Sequence, residues 1–150
     1  MNLQEELKAL KQRIAELEEQ AKQEREFPQF GDDYWYVSIT GRIFTSEWDG
    51  FTSEKDMFEI GNIYKTKQQA EFAVEKLKVE AELRKFSRPF TYHETNWYLI
   101  MDFDKEVHYS YKWDDVAQGA IYFESKEKAQ QAIETVGEER IKKYIFGVED

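Results

Sequence analysis

A strand-to-helix pattern that occurs twice constrains the fold of this chain more than any other feature. Residues 61–83, GNIYKTKQQAEFAVEKLKVEAEL, run from a glycine through an apolar strand and a hydroxyl residue into an amphipathic helix. Residues 119–136, GAIYFESKEKAQQAIETV, repeat that order, and a tryptophan-tyrosine strand precedes each copy at residues 34–37 and 96–99. We therefore expect two related β-β-β-α units, neither of which buries its apolar face alone.

Capping residues and apolar spacing place the two helices. Thr66 and Gln69 form a capping-box pattern, and Ser125 stands at the same point of the second copy. Gly137 lies where a left-handed cap would end the second helix. The expected apolar stripe of the first helix consists of Ala70, Ala73, Val74, Leu77 and Ala81, widened by Phe72, Val79 and Leu83. The expected stripe of the second consists of Ala129, Ala132, Ile133 and Val136.

Period-two alternation of apolar residues predicts the strands. The predicted strands cover residues 34–39, 43–48 and 58–65 in the first copy and residues 97–103, 107–113 and 120–123 in the second. Residues 51–59 are polar and carry three acidic side chains, so we expect a mobile connection there. After the second helix, residues 141–145 predict one or two further helical turns.

The leader of the chain predicts a helix with a heptad seam. Apolar residues alternate steps of four and three along it, at Leu3, Leu7, Leu10, Ile14, Leu17 and Ala21. In a parallel homodimer, Glu6 would pair with Lys11 and Arg13 with Glu18, which are opposite charges in both cases. The alternative is a helix that folds back onto its own domain.

These patterns together predict an α+β protein with an N-terminal coiled-coil helix followed by a duplicated antiparallel β-β-β-α unit. We expect an oligomerisation helix over residues 1–26 and an α+β domain over residues 27–150. The two units of that domain are predicted to cover about residues 32–88 and 95–150.

Composition and charge narrow the function classes. The formal net charge of −10 argues against direct nucleic-acid binding, which depends on Lys and Arg side chains at phosphates. The chain has no cysteine, which excludes disulfides and thiolate metal sites. No apolar run is long enough to span a bilayer, and we expect a cytoplasmic protein without a membrane partner.

No catalytic, cofactor or metal site is predicted. His93 and His108 lack the spacing to a second histidine or a cysteine that zinc ligands show. Asp102, Asp104 and Glu106 alternate as in a calcium loop, but the glycine and distal glutamate of an EF-hand are absent at their offsets. Neither a nucleophile elbow nor a phosphate loop is present. A small enzyme with an unrecognised carboxylate site stays as an alternative.

Aromatic and acidic residues flank the predicted strands and are the candidates for contact with a protein partner. Tyrosines on strands also resemble the stacking platform of a single-stranded nucleic-acid-binding module, which is a second alternative, although the surrounding carboxylates oppose it. The candidate partner-binding residues are Asp32, Asp33, Tyr36, Trp48, Asp49, Asp102, Asp104, Tyr109, Tyr111, Asp114 and Asp115. A sharper version is an acidic edge that mimics nucleic acid, although aspartate is also common in turns.

Three stretches resemble a family of small accessory proteins encoded by phages and prophages of Gram-positive bacteria. They are FPQFGDDYWYV, GNIYKTKQQAEFAVEKLKVEAELRKF and IYFESKEKAQQAIETVGEERIKKYIFGVE, and the resemblance covers nearly the whole chain, including the leader. It implies a cytoplasmic protein of the host bacterial cell, made during infection or lysogeny, and brings no catalytic residues. We expect a non-catalytic protein that binds a host or phage protein, for example an inhibitor of a host defence or DNA-handling protein.

Overall fold

A computed structural model describes residues 2–149, with the side chains of residues 2–21 and 25–149. The predicted domain limits at residues 1 and 150 lie outside the described residues. The chain has an N-terminal helix and two sheets, which confirms the α+β class. Its elements are α1 (Leu3–Glu24), β1 (Asp33–Val37), β2 (Ile43–Glu47), α2 (Thr52–Glu59), α3 (Lys67–Arg84), β3 (Ser87–Arg88), β4 (Asn96–Met101), β5 (Val107–Lys112), β6 (Tyr122–Phe123), α4 (Lys126–Val136) and α5 (Glu138–Tyr144).

The chain divides into two compact units. The first unit comprises residues 1–36 and 44–66, and the second comprises residues 37–43 and 67–150. The first unit therefore holds α1, α2 and most of the two-stranded β1–β2 sheet. The second holds α3 to α5 and a four-stranded sheet.

The segment after β2 differs from its prediction. Residues 52–59 form α2 rather than a mobile connection, because Glu54 turns inward and is buried. The predicted third strand over residues 58–65 is also wrong. Only Tyr64 pairs there, through a single antiparallel bridge whose two N–H···O bonds to Trp35 measure 2.9 and 2.8 Å.

The sheet of the second unit has the order β3-β6-β4-β5, with every neighbouring pair antiparallel. β4 and β5 form the long hairpin that the alternation predicts. The two-residue strand β6 lies between β3 and β4, and Phe123 pairs with Ser87 on one side and Trp97 on the other. The side chain of Phe123 is fully buried, so β6 connects the sheet to the core.

The core of the second unit forms between this sheet and its three helices. Its buried members are Val79, Leu83, Val107, Phe123, Ala129, Ala132, Ile133, Val136 and Ile141. All four residues of the predicted α4 stripe are in this set, which confirms that prediction. The Ser125 side chain caps α4 by accepting a hydrogen bond from the Lys128 N–H at 3.1 Å, also as predicted. The short helix α5 confirms the last predicted turns.

The single apolar stripe predicted for α3 is wrong. Val79 and Leu83 lie in the core, whereas Ala70 and Val74 are buried on another side of the helix. Nine residues separate position 70 from position 79, which is two and a half turns and therefore about 180° around the axis. Leu77 is 59% exposed although it lies within about 20° of Ala70 around the axis, so the burial of that side does not extend to it.

We expect Leu83→Ala and Leu77→Ala to differ strongly although they are the same change in the same helix. Leu83→Ala removes a side chain that is 1% exposed and should lower the free energy of unfolding by about 2–5 kcal/mol. Leu77→Ala should change it by less than about 0.5 kcal/mol. Urea denaturation followed by circular dichroism measures both. Equal losses would contradict the burial of Leu83 and the exposure of Leu77.

Candidate functional site

The apolar seam of α1 is exposed along its whole described length. The leucines and isoleucine at its core positions range from 47% exposed at Leu17 to 83% at Leu3. Every described side chain from residue 2 to residue 21 is exposed, Ala21 included. This exposure does not support the alternative in which the leader packs on its own domain. A capping box between Asn2 and Glu5 fixes the start of the helix.

A buried carboxylate organises the first unit. Glu54 is 4% exposed and accepts a 2.7 Å hydrogen bond from the Tyr34 hydroxyl, as well as 3.0 Å bonds from the N–H groups of Asp49 and Phe51. Burial alone would raise the pKa of Glu54, but these hydrogen bonds outweigh it and lower the pKa below its ordinary value. Burial and the bond to Glu54 raise the pKa of Tyr34 to about 12, so the phenol stays a donor.

Aromatic side chains surround this buried pair. Trp48 lies with its ring centroid 6.0 Å from that of Tyr34 and 6.4 Å from that of Phe58, and Tyr36 lies 5.9 Å from Phe44. Two of the predicted partner-binding residues, Tyr36 and Trp48, are thus held in place by ring contacts. Phe51 is 64% exposed and is not among the candidates predicted from the sequence.

The acidic candidates of the first unit differ in their availability. Asp32 accepts a 2.8 Å hydrogen bond from the Gln29 N–H and pairs with Arg25, so its carboxylate is already occupied. Asp33 and Asp49 are exposed. The available negative charge near α2 therefore comes from Asp49 together with Asp56 and Glu59, which are exposed on the helix itself.

The hairpin of the second unit groups its aromatic candidates. Tyr111 lies directly opposite Trp97 in the ladder, and Tyr109 lies two residue pairs away on the same face. The ring centroids of both tyrosines are 5.6 Å from that of Trp97. Tyr111 is 62% exposed and Tyr109 is 37% exposed, so this cluster presents both tyrosines to solvent.

Asp114 and Asp115 lie just after β5, and each carboxylate lies close to a basic side chain. His93 Nδ1 lies 3.6 Å from the Asp114 carboxylate, and Lys112 Nζ lies 3.1 Å from that of Asp115. The hydrogen bond and the charge of Asp115 raise the pKa of Lys112. Asp115 is therefore partly neutralised by a local ion pair, whereas Asp114 lies beside an imidazole.

A buried amide holds the loop that precedes β4. Asn96 is 0% exposed, and its Oδ1 accepts hydrogen bonds from Arg88 at 2.7 Å and from the Thr91 N–H at 2.9 Å. Its Nδ2 donates to the carbonyls of Thr91 at 2.8 Å and Glu94 at 2.9 Å. The strand pattern includes Asn96 but does not identify this role, because the partners are the Arg88 side chain and backbone groups of an irregular loop.

The tip of the β4–β5 hairpin brings the last two candidates together with a histidine. His108 Nε2 lies 2.8 Å from Asp102 Oδ2, and ligand atoms of Asp102, Asp104 and His108 all lie within 4.8 Å of one another. Zinc-ligand spacing requires a second histidine or a cysteine, and the EF-hand pattern uses only the alternating carboxylates, so neither pattern identifies this convergence. The hairpin register places His108 opposite Ile100 and thereby beside Asp102.

Within each unit, the described partner-binding candidates form separate local clusters. They do not form one continuous acidic face. No described helix combines the length and the apolar character needed to span a bilayer. Comparison with known proteins found no matching family model, no matching curated protein and no matching solved structure.

We expect Glu54→Gln to alter how stability depends on pH. Because the pKa of Glu54 is lowered from 4.5 on folding, its carboxylate stabilises the folded chain above pH 4.5, and this contribution is lost as the pH falls through the folded-state pKa. At about pH 7 the variant should lose roughly 1–3 kcal/mol of unfolding free energy. The difference from the unmodified chain should shrink in the acid range.

Urea denaturation across this pH range measures the effect, and Glu59→Gln is the matched control because Glu59 is an exposed glutamate on the same helix. The control should track the unmodified chain. A Glu54→Gln difference that stays constant with pH would contradict the hydrogen-bonded carboxylate.

Proposed function

We propose that this protein is a non-catalytic, homodimeric binding protein. In this proposal α1 forms a parallel two-stranded coiled coil, and the rest of the chain presents aromatic and acidic side chains to another protein. The observation that carries the proposal is the exposed seam of α1. An isolated helix of this length is only marginally stable in water, so pairing supplies the burial that its apolar residues lack.

The residues of the seam favour a dimer. With Leu7 and Ile14 at a positions, Leu3, Leu10 and Leu17 occupy d positions. A β-branched residue at a with leucine at d favours two strands over higher oligomers, and Ile14 between Leu10 and Leu17 has this arrangement. Ala21 continues the seam with a smaller side chain.

Charges beside the seam favour the parallel direction. Parallel chains pair Glu6 with Lys11 and Arg13 with Glu18. An antiparallel pair that overlaps the whole seam would instead place the Lys11 side chains of the two copies together and likewise the two Arg13 side chains. Like charges at these flanking positions oppose that arrangement.

The repeat predicted from the sequence also belongs to this proposal. Trp35 forms an antiparallel bridge with Tyr64, and Trp97 forms one with Phe123. In both halves the bridged residue lies two positions before the hydroxyl residue that precedes a helix, Thr66 or Ser125. This shared pairing supports two related units, in which the first has gained α2 and retains only one bridge of its third strand.

The partner proposed is a host or phage protein met in the cytoplasm of a bacterial cell, in line with the resemblance to phage accessory proteins. Inhibition of a host defence or DNA-handling protein is the concrete version. The exposed rings of Phe51 and Phe58 beside Asp49, Asp56 and Glu59 support a partner surface that combines apolar and basic groups. The net charge of −10 favours such a partner over nucleic acid.

We expect the double variant Leu10→Asp, Ile14→Asp to be a monomer that keeps its α+β fold. Four charges buried in the seam of each dimer would cost more than pairing gains. Sedimentation equilibrium should therefore give twice 18.0 kDa for the unmodified chain and 18.0 kDa for the variant. The control is Ala9→Asp, Ala15→Asp, which adds the same charge on the outer side of α1 and should stay dimeric.

Cross-linking reports the direction of the helices. The chain has no cysteine, so Leu3→Cys introduces the only thiol. Oxidation should link two parallel chains at this d position. In the antiparallel arrangement, position 3 of one chain lies opposite position 21 of the other. The two introduced thiols would then be about 27 Å apart, since eighteen residues separate these positions. Leu3→Cys chains would instead cross-link with Ala21→Cys chains. A monomeric unmodified chain would contradict the dimer itself.

The binding function is tested by affinity capture from nuclease-treated host lysate. We expect the unmodified chain to retain one protein in stoichiometric amount, and the double variant Phe51→Ser, Phe58→Ser to lose it because both side chains are exposed. Phe103→Ser is the matched control, since this phenylalanine is fully exposed at the hairpin tip of the second unit. Capture of no protein, or equal loss with the control, would contradict the proposal.

A further inference from the structure

The tip of the β4–β5 hairpin gathers a mixed set of metal-ligating side chains that the proposed function does not use. His108 Nε2 lies 2.8 Å from Asp102 Oδ2 and 3.4 Å from Glu106 Oε2. Asp104 completes a group in which one ligand atom each from Asp102, Asp104 and His108 lies within 4.8 Å of the others. Ligands bound at about 2.0–2.2 Å to one ion are separated by up to about twice that distance, so a small movement suffices to close the set on a cation.

A second observation comes from the oxygen of Asp102 that does not face the histidine. The Asp102 side chain is 29% exposed, but its Oδ1 atom is itself buried and has no hydrogen-bond partner among the described residues. A carboxylate oxygen can only accept, and burying it without a partner carries a free-energy cost. The contact between His108 and Asp102 therefore accounts for Oδ2 and leaves Oδ1 without a partner.

We propose that Asp102, Asp104 and His108 bind a divalent first-row transition cation of the Zn²⁺ or Mn²⁺ class, with Glu106 as a further oxygen ligand. Imidazole nitrogen combined with carboxylate oxygen suits these ions, whereas calcium prefers oxygen alone. The cation offsets three neighbouring carboxylate charges and gives Asp102 a partner.

The backbone holds this set in place before a cation binds. The Lys105 N–H donates to the Asp102 carbonyl at 3.0 Å, and the Asp102 N–H donates to the Glu106 carbonyl at 3.2 Å, which closes the turn. Immediately beyond it, the Val107 N–H donates to the Glu138 carboxylate at 2.9 Å, so the start of β5 is tied to α5. His108 is 46% exposed, which leaves a route for the ion.

The test is isothermal titration calorimetry of the untagged, chelator-treated full chain with Zn²⁺, Mn²⁺ and Ca²⁺. We expect one Zn²⁺ or Mn²⁺ per chain and weaker binding of Ca²⁺. His108→Gln and Asp102→Asn should each lower the affinity by at least the roughly 10- to 100-fold that loss of an outer-shell group alone causes. The unmodified chain should also unfold at higher temperature with Zn²⁺ than without it.

The matched control is His93→Gln. His93 is the other histidine and lies 3.6 Å from one carboxylate, that of Asp114, so it reproduces an exposed His-Asp pair without the converging set. This variant should bind as the unmodified chain does. Circular dichroism confirms that each variant is folded. Absence of one-to-one binding, equal loss with His93→Gln, or Ca²⁺ binding that His108→Gln leaves unchanged would overturn the proposal, which does not depend on the proposed function.

Discussion

The second unit depends on the backbone pairing of Phe123 to both of its neighbours. This residue bonds to β3 on one side and β4 on the other, and its side chain is fully buried in the core. A strand of only two residues therefore joins the end of α3, which leads into β3, to the long β4–β5 hairpin. Because the same residue supplies the pairing and the packing, the sheet and the helix layer of this unit stabilise each other.

Buried polar side chains stabilise irregular segments of the chain. The residue immediately before each strand tryptophan is buried, as Tyr34 in the first half and Asn96 in the second. Tyr34 donates to the Glu54 carboxylate, while Asn96 bonds to backbone groups of the preceding loop. The chemistry differs, but in both cases a satisfied polar side chain fixes an irregular segment that apolar contacts alone would leave free to move.

The sequence pattern predicted a helix correctly where all its buried residues face one core. The α4 stripe could be predicted because Ala129 and its companions all face one core, whereas α3 is buried on two sides and its spacing resembles one wide stripe. α2 could not be predicted, since burial of Glu54 depends on donors from Tyr34 and the turn before the helix. The approach of His108 to Asp102 depends on the hairpin register, which the alternation of residues does not define.

The length of α1 has a consequence for how the protein would distinguish its targets. A helix of 22 residues spans about 33 Å, and in a parallel pair both copies end on the same side. In the proposed dimer, two tethered copies of one surface would meet a target with two equal epitopes at an effective concentration that is roughly millimolar for short linkers. Such a dimer would hold a symmetric or repetitive target much longer than a single copy of the same epitope, so the leader would confer selectivity for paired targets without contacting them.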